Sequence, residues 1–168
     1  VKTSEETFVL RRKPPGKLLP SAHAVDREFR VIDALYRSDF PVPRSVAYCG
    51  DNSILGTEFY LMDFIDGKIF WNIALPDLTP KIRGKIFDSK ISTLAKLQSI
   101  DYKKAGLETF GKTSDYMARQ IHRWSKIYKA SETSKIISMD RLIEWLPKNI
   151  PNNGETCIIH GDYRLDNM

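Results

Sequence analysis

The chain has 168 residues, of which 42% are hydrophobic and 28% are charged, and its formal net charge is +5 at pH 7. This composition is ordinary for a globular protein, which excludes disordered and fibrous classes, and the sequence has no apolar run near the ~20 residues that span a bilayer. The excess of basic residues favours anionic ligands such as phosphates.

Most basic residues are dispersed along the chain. The one cluster, at 11–13 with Lys17, lacks the interleaved aromatic residues that stack on bases, so we expect no nucleic-acid role. The N-terminal residues do not form a signal peptide, and Cys49 and Cys157 form no metal-ligand cluster. We therefore predict a cytoplasmic protein without membrane association, whose oligomeric state the sequence leaves open. Because the chain starts at Val1 and stops just after a polar motif, we expect a fragment of a longer protein.

The first third of the chain predicts a strand, a helix and a hairpin. Residues 7–11 read as a short strand closed by the turn at 14–16, and Ser21 is the predicted cap of the helix that follows. The hairpin comprises strands at 45–49 and 57–65. The apolar face of the helix carries residues spaced four, three and four apart, which are Val25, Phe29, Ile32 and Tyr36.

The remainder is mostly helical. Thr79 is a predicted N-cap with Pro80 at the first helical position, a second helix follows Thr113, and a third stops at Pro147. Residues 156–159 predict a short buried strand that leads into a polar loop. We interpret the apolar helical positions as core stripes, namely Ile82, Ile86, Leu94 and Leu97, then Met117, Ile121, Trp124 and Tyr128, then Ile136, Met139, Ile143 and Leu146.

The polar loop after this strand contains the strongest candidate for chemistry. Asp162 and Asn167 lie five residues apart, a spacing that suits phosphoryl transfer. The carboxylate would accept the proton of an attacking hydroxyl, and the amide oxygen would bind Mg²⁺, which prefers hard oxygen ligands. His160 would hold the shape of the loop. The alternative is a capped turn in which both side chains satisfy local amides.

A second motif competes with this loop. Residues 106–113 match the phosphate-loop pattern G-x-x-x-x-G-K-S/T, but such a loop should follow a buried strand, and here a polar helix end precedes it. Glu108 inside the loop would also repel an anion. We interpret the segment as a connection between helices, with an N-cap at Thr113.

The segment 157–167, which reads CIIHGDYRLDN, resembles the catalytic loop of the aminoglycoside phosphotransferase family. The similarity extends to 8–28, 60–67 and 118–124, and is strongest to the branch that includes the kinase-like domain of acyl-CoA dehydrogenase family proteins. It implies an α+β, protein-kinase-like fold of two lobes in partial form. We place the β-rich N-lobe at 1–65 and the helical C-lobe at 66–168.

The resemblance implies roles for three further positions. Arg11 would be the strand cation that pairs with nucleotide phosphates, with Arg12 or Lys13 as alternatives if the register differs. Glu28 would be the helix glutamate that pairs with this cation, unless it is an exposed partner of a neighbouring arginine.

The segment Met62-Asp63-Phe64 resembles the hinge whose backbone groups bind adenine; a plain strand end is the alternative. Together with Asp162 and Asn167, these residues predict an ATP- and Mg²⁺-dependent phosphotransferase that acts on a small-molecule hydroxyl. The other interpretation is a non-catalytic kinase-like module that binds nucleotide.

Two parts of the family pattern are missing from the sequence. The first strand hairpin would precede Val1, and a second metal-binding Asp would follow Met168, so we expect negligible activity from these residues alone. The basic charge argues against a polycationic aminoglycoside as acceptor. An anionic acceptor, such as a hydroxyacyl thioester of coenzyme A, fits the charge and the branch better.

Overall fold

The computed structural model describes residues 1–14, 16, 24–151 and 154–168. They form a small antiparallel sheet and five α-helices, followed by a polar loop. Short 3-10 helices at Leu146–Lys148 and Leu165–Asn167 complete the described elements. The strands are β1 (Phe8–Arg12), β2 (Ser45–Cys49) and β3 (Phe59–Asp63), and the helices are α1 (Val25–Arg37), α2 (Asn52–Leu55), α3 (Pro80–Ser99), α4 (Tyr116–Ser131) and α5 (Ile137–Trp145).

The sheet has the strand order β1-β3-β2, so β3 lies in the centre. β2 and β3 form the predicted hairpin, and the single-turn helix α2 lies in the connection between them. Both neighbours of β3 run antiparallel to it. Arg11 on β1 and Tyr48 on β2 each lie directly opposite Tyr60, which brings these three side chains into one row across the sheet.

Helix α1 covers one face of the sheet. Val25 is fully buried, and the ring of Phe29 lies 5.7 Å from that of Tyr48 and 5.9 Å from that of Tyr60. The predicted apolar face is therefore confirmed at Val25 and Phe29, whereas Tyr36 is exposed. The predicted cap Ser21 lies outside the described residues, and Ala24 occupies the N-cap position of the helix.

The predicted start of α3 is confirmed, because Thr79 is its N-cap and Pro80 its first residue. The Thr79 hydroxyl accepts a hydrogen bond from the amide of Ile82 at 3.4 Å. Helix α4 begins later than predicted. Asp115, in the left-handed conformation with φ 54°, occupies the N-cap position that we assigned to Thr113.

The predicted core stripes of the later helices are wrong at four of their twelve positions. Leu97 is buried, but Ile82 is 45%, Met117 50%, Trp124 60% and Ile136 46% exposed. The spacing correctly predicted helices with an apolar face. The spacing could not predict which other residues would cover that face, and these four positions are exposed in the described structure.

The predicted buried strand at 156–159 is also wrong. This segment is not part of any strand in the described structure, and Ile159 is 48% exposed. A strand needs a neighbour with which to share its backbone hydrogen bonds, and none of the three described strands pairs with this segment.

The chain forms two compact units, residues 1–107 with 157–168, and residues 108–156. The first contains the sheet, α1 to α3 and the polar loop, and the second contains α4 and α5. The predicted lobe boundary between 65 and 66 is a different division of the chain, and it stays a prediction. Among the described helices, none is long and apolar enough to cross a membrane.

Candidate functional site

All predicted site residues lie in the first unit, and the structure groups them into two clusters and a strand end. The first cluster joins β1 to α1. Arg11 donates from Nε to Glu28 Oε2 over 2.9 Å and from Nη2 to Glu28 Oε1 over 3.1 Å. This is the bidentate geometry of a strong arginine–carboxylate pair. The hydrogen bonds to Glu28 raise the pKa of Arg11 above its usual value.

Arg12 and Lys13, the alternatives to Arg11, do not contact Glu28 in the described structure. Arg12 donates to the carbonyl of Leu55 over 3.4 Å, and Lys13 lies 3.9 Å from the carboxylate of Glu58. Side chains of successive strand residues project to opposite faces of a sheet, which explains why Arg12 does not share the partner of Arg11. Arg11 is therefore the strand cation that the structure pairs with Glu28.

Tyr60 is a third member of this cluster that sequence reasoning missed. Its side chain is buried, and its hydroxyl donates to Glu28 Oε2 over 3.4 Å. Burial, with the nearby Glu28 carboxylate, raises the pKa of Tyr60 to about 12, so the hydroxyl stays protonated and able to donate. The sequence feature that could have pointed to Tyr60 was its position within a predicted strand rich in aromatic and branched residues.

The predicted hinge lies at the end of β3. The amide of Asp63 donates to the carbonyl of Arg44 over 3.0 Å, and that of Phe64 donates to the carbonyl of Thr7 over 3.2 Å. These two N–H groups therefore already have acceptors. An adenine at this segment would have to hydrogen-bond to its carbonyl groups or to an amide that follows Phe64 in the chain. The Asp63 carboxylate binds Arg44 through two hydrogen bonds of 3.0 Å, which raise the pKa of Arg44.

The second cluster lies in the polar loop. Asn167 Nδ2 donates to Asp162 Oδ2 over 2.7 Å and to the Asp162 carbonyl over 3.2 Å. Between them, Leu165 is buried and anchors the 3-10 turn that carries Asn167. The structure thus brings together the two residues that the sequence spacing selected, and the same bonds fulfil the local capping that we considered as an alternative.

Sequence reasoning missed the charged partners of Asp162. Arg164 Nε lies 3.2 Å from Asp162 Oδ1, and Arg164 Nη2 lies 3.1 Å from Asp166 Oδ2. Asp162 therefore has one oxygen on Arg164 and the other on Asn167. Within the described residues, the buried Oδ1 of Asp166 has no hydrogen-bond partner. Arg164 and Asp166 both lie within the loop motif at 157–167, so the sequence already showed charged residues next to Asp162.

His160 and Tyr163 shape the loop. The Asp162 amide donates to His160 Nδ1 over 3.4 Å, a weak bond that fits the predicted holding role. The rings of His160 and Tyr163 meet edge to face at 5.3 Å, and the Tyr163 hydroxyl donates to the carbonyl of Lys90 in α3 over 2.7 Å. Gly161 has φ +86°, a conformation that side chains disfavour, which explains the glycine between them.

The residues of the loop fit a magnesium ion. Asn167 uses its amide nitrogen for both bonds to Asp162, and no described residue occupies its Oδ1. Carboxylate and amide oxygens are the ligands that Mg²⁺ prefers, together with nucleotide phosphates. Among the described residues, no group of three or more His, Cys, Asp or Glu side chains could hold a metal ion. Asn167, through its Oδ1, is therefore the candidate protein ligand.

The rejected phosphate-loop pattern lies outside both clusters. α3, and not a strand, precedes it, and Leu107 within it is buried. The carbonyl of Gly106 accepts a hydrogen bond from Arg30 over 3.0 Å. The segment connects α3 to α4, as we expected from the sequence.

Comparisons with known proteins test the predicted family. The sequence model of the phosphotransferase enzyme family, APH, matches residues 1–168. The chain is 46% identical over 164 residues to human acyl-CoA dehydrogenase family member 11 and 45% identical over 168 residues to mouse acyl-CoA dehydrogenase family member 10. It is also 44% identical over 175 residues to the Arabidopsis thaliana protein named probable acyl-CoA dehydrogenase IBR3.

These matches cover 97–100% of the chain but only 16–21% of those relatives. A crystal structure of a provisionally assigned aminoglycoside phosphotransferase from Ralstonia eutropha superimposes with a TM-score of 0.87 at 42% identity. The alignment covers 99% of this chain and 49% of that one. The predicted family resemblance and the partial, protein-kinase-like α+β fold are thereby confirmed.

Proposed function

Because the chain belongs to the phosphotransferase enzyme family, we propose that its two clusters serve an ATP-dependent transfer of phosphate to a hydroxyl group of a small molecule. The observation that carries the proposal is the pairing of Asp162 with Asn167 at 2.7 Å. In this pair, a carboxylate that could accept a proton lies next to an amide whose oxygen could bind a cation. Phosphoryl transfer needs chiefly such positioning and charge neutralisation.

In this mechanism the Asp162 carboxylate orients the acceptor hydroxyl and takes its proton as the oxygen attacks the γ-phosphorus. The bond from the γ-phosphorus to the β,γ-bridging oxygen breaks, and ADP leaves with that oxygen. Asn167 holds the carboxylate through its amide nitrogen and offers Oδ1 to the metal. A magnesium ion held by Asn167 would supply positive charge that neutralises the phosphates. Arg164, on the other oxygen of Asp162, limits rotation of the carboxylate.

The nucleotide would be held by the residues of the sheet. The Nη1 group of Arg11 has no hydrogen-bond partner in the described part of the chain, and 46% of the side chain is exposed, so it is available to phosphate oxygens. Glu28 keeps the guanidinium in one orientation. The segment 62–64 would bind adenine through backbone groups other than the occupied amides of Asp63 and Phe64.

We further propose that the acceptor is anionic, with hydroxyacyl thioesters of coenzyme A as the first class to test. The net charge of +5 favours anions over polycations. The relatives from mouse, human and Arabidopsis are named acyl-CoA dehydrogenases, which is consistent with an acyl-CoA ligand in the same polypeptides.

The test is a phosphate-transfer assay on the full-length protein with Mg-ATP and two acceptor panels, hydroxyacyl-CoA thioesters of several chain lengths and kanamycin-type aminoglycosides. We expect transfer to the thioesters that exceeds transfer to the aminoglycosides. Faster transfer to the aminoglycosides would overturn the acceptor proposal alone. Nucleotide binding without transfer to any hydroxyl compound would favour the non-catalytic module.

A further inference from the structure

The row of side chains under α1 has one feature that the proposed function does not use. Arg11, Tyr60 and Tyr48 lie directly opposite one another on three adjacent strands. Residues in such pairs project to the same face of a sheet. α1 lies on this face, because the ring of Phe29 contacts the rings of both tyrosines. Glu28 therefore enters the row from the helix side.

The two oxygens of Glu28 receive three donors. Oε1 accepts from Arg11 Nη2, and Oε2 accepts from both Arg11 Nε and the hydroxyl of Tyr60. The donors differ in exposure, since the Arg11 side chain is 46% exposed and Tyr60 only 2% exposed. Tyr60 is thus the fixed point of the cluster, and it belongs to the central strand.

We propose that Tyr60 is a positioning residue, whose buried hydroxyl holds Glu28 and so fixes the direction in which Arg11 presents its guanidinium to the nucleotide phosphates. The inference rests on the proposed function, because it gives Arg11 a phosphate to bind. It adds a residue that acts through Glu28 and does not itself touch the nucleotide.

Two physical arguments support this role. A carboxylate held by an exposed arginine alone would share the mobility of that side chain, whereas a donor on a packed ring limits the carboxylate to one rotamer. The bond of 3.4 Å is long for a hydroxyl donor, and it reaches the same carboxylate oxygen that accepts from Arg11 Nε. Because burial raises the pKa of Tyr60, its hydroxyl stays protonated and donates throughout the neutral range.

The experiment measures Mg-ADP binding to the full-length protein by calorimetry in a double-mutant cycle of Tyr60→Phe and Arg11→Met. Tyr60→Phe retains the ring and removes only the hydroxyl. We expect it to weaken binding about three- to tenfold in the wild-type background, the usual net worth of one hydrogen bond. In the Arg11→Met background the same change should alter binding by less than about twofold, because the group that it positions is gone.

Tyr48→Phe is the matched control. Its ring lies in the same row and contacts the same phenylalanine, but in the described structure its hydroxyl makes no bond to Glu28. We expect no change in Mg-ADP affinity from it, and thermal unfolding of each variant separates binding effects from loss of fold.

Equal losses from Tyr60→Phe in both backgrounds, or no loss in either, would overturn the positioning role while the proposed function stands. Failure of the wild-type protein to bind Mg-ADP would overturn the proposed function, and this inference with it.

Discussion

The amide nitrogen of Asn167 holds Asp162 at two points, the carboxylate oxygen Oδ2 at 2.7 Å and the backbone carbonyl at 3.2 Å. One side chain thus fixes both the rotamer of the aspartate and the shape of the loop between them. Because both bonds use the nitrogen, the amide oxygen faces a different direction and suits a cation. The two roles that we assign to Asn167 therefore depend on a single orientation.

Replacement of this amide should affect catalysis and metal dependence together. We expect Asn167→Ala to lower kcat on the order of 100-fold or more, as for loss of one preorganised group at a reacting centre. The Mg²⁺ concentration for half-maximal activity should also rise. Steady-state kinetics across a Mg²⁺ titration measure both effects.

Asn149→Ala is a suitable control, since the amide of Asn149 also makes a local backbone bond, to the carbonyl of Trp145 at 2.8 Å, far along the chain from the loop. It should leave both quantities unchanged. A kcat drop in Asn167→Ala with an unaltered Mg²⁺ requirement would contradict the metal role and leave the positioning role.

Arg164 should contribute to turnover more than to nucleotide binding. Arg164→Met removes the ion pair with Asp162 Oδ1, so the carboxylate gains freedom to rotate. We expect kcat to fall about tenfold, with KM for ATP changed less than about twofold. Arg141→Met, a change of the same chemistry at an exposed position of α5, should alter neither constant. A rise in KM for ATP at constant kcat would place Arg164 on the nucleotide instead.

The hydroxyl of Tyr163 should stabilise the loop against α3. Its bond to the carbonyl of Lys90 is 2.7 Å long and part-buried, so Tyr163→Phe should cost about 1 kcal/mol of local stability. Hydrogen exchange of the amides at 160–167 measures this directly, and we expect about fivefold faster exchange. Tyr116→Phe, at an exposed tyrosine, should leave exchange in the loop unchanged. Equal protection in wild type and Tyr163→Phe would show that other contacts hold the loop.

The ionisation of Tyr60 predicts a stability change at high pH. Its pKa rises from 10.0 to about 12 in the folded chain, so folding favours the neutral phenol. The resulting stability amounts to at most about 3 kcal/mol. It is fully present below pH 10 and is lost as the pH rises towards 12.

Denaturant unfolding of wild type and Tyr60→Phe at pH values on either side of 10 measures this contribution by difference. We expect the wild type to lose more unfolding free energy than the variant over that interval. The difference isolates Tyr60 because the remaining tyrosines and lysines titrate in both proteins. Parallel curves would mean that Tyr60 ionises with an ordinary pKa.

The structure pairs residues that the sequence singled out, whereas several predicted core positions are exposed. The loop spacing led to Asp162 and Asn167, and the family resemblance led to Arg11 and Glu28; the structure joins the members of each pair directly. Local chemistry also predicted the start of α3, because Thr79 and Pro80 act through the backbone next to them.

The errors concern properties that are not local. An apolar stripe predicts a face that can be buried, but whether Trp124 is buried depends on which other residues reach it, and it is 60% exposed. Residues 156–159 have strand-forming side chains but no described partner strand. Tyr60 was missed for a similar reason. Its role depends on its register opposite Arg11, which pairs residues far apart in sequence.

The most direct test of the account is the rate of phosphate transfer by the full-length protein carrying Asp162→Asn. Asparagine preserves the size of the side chain but can neither accept the hydroxyl proton nor carry the charge. We predict that transfer from Mg-ATP to the acceptor falls by about 10²–10⁴-fold while Mg-ATP affinity stays within about twofold of wild type. Transfer at the wild-type rate by this variant would contradict the central claim that Asp162 orients and deprotonates the acceptor.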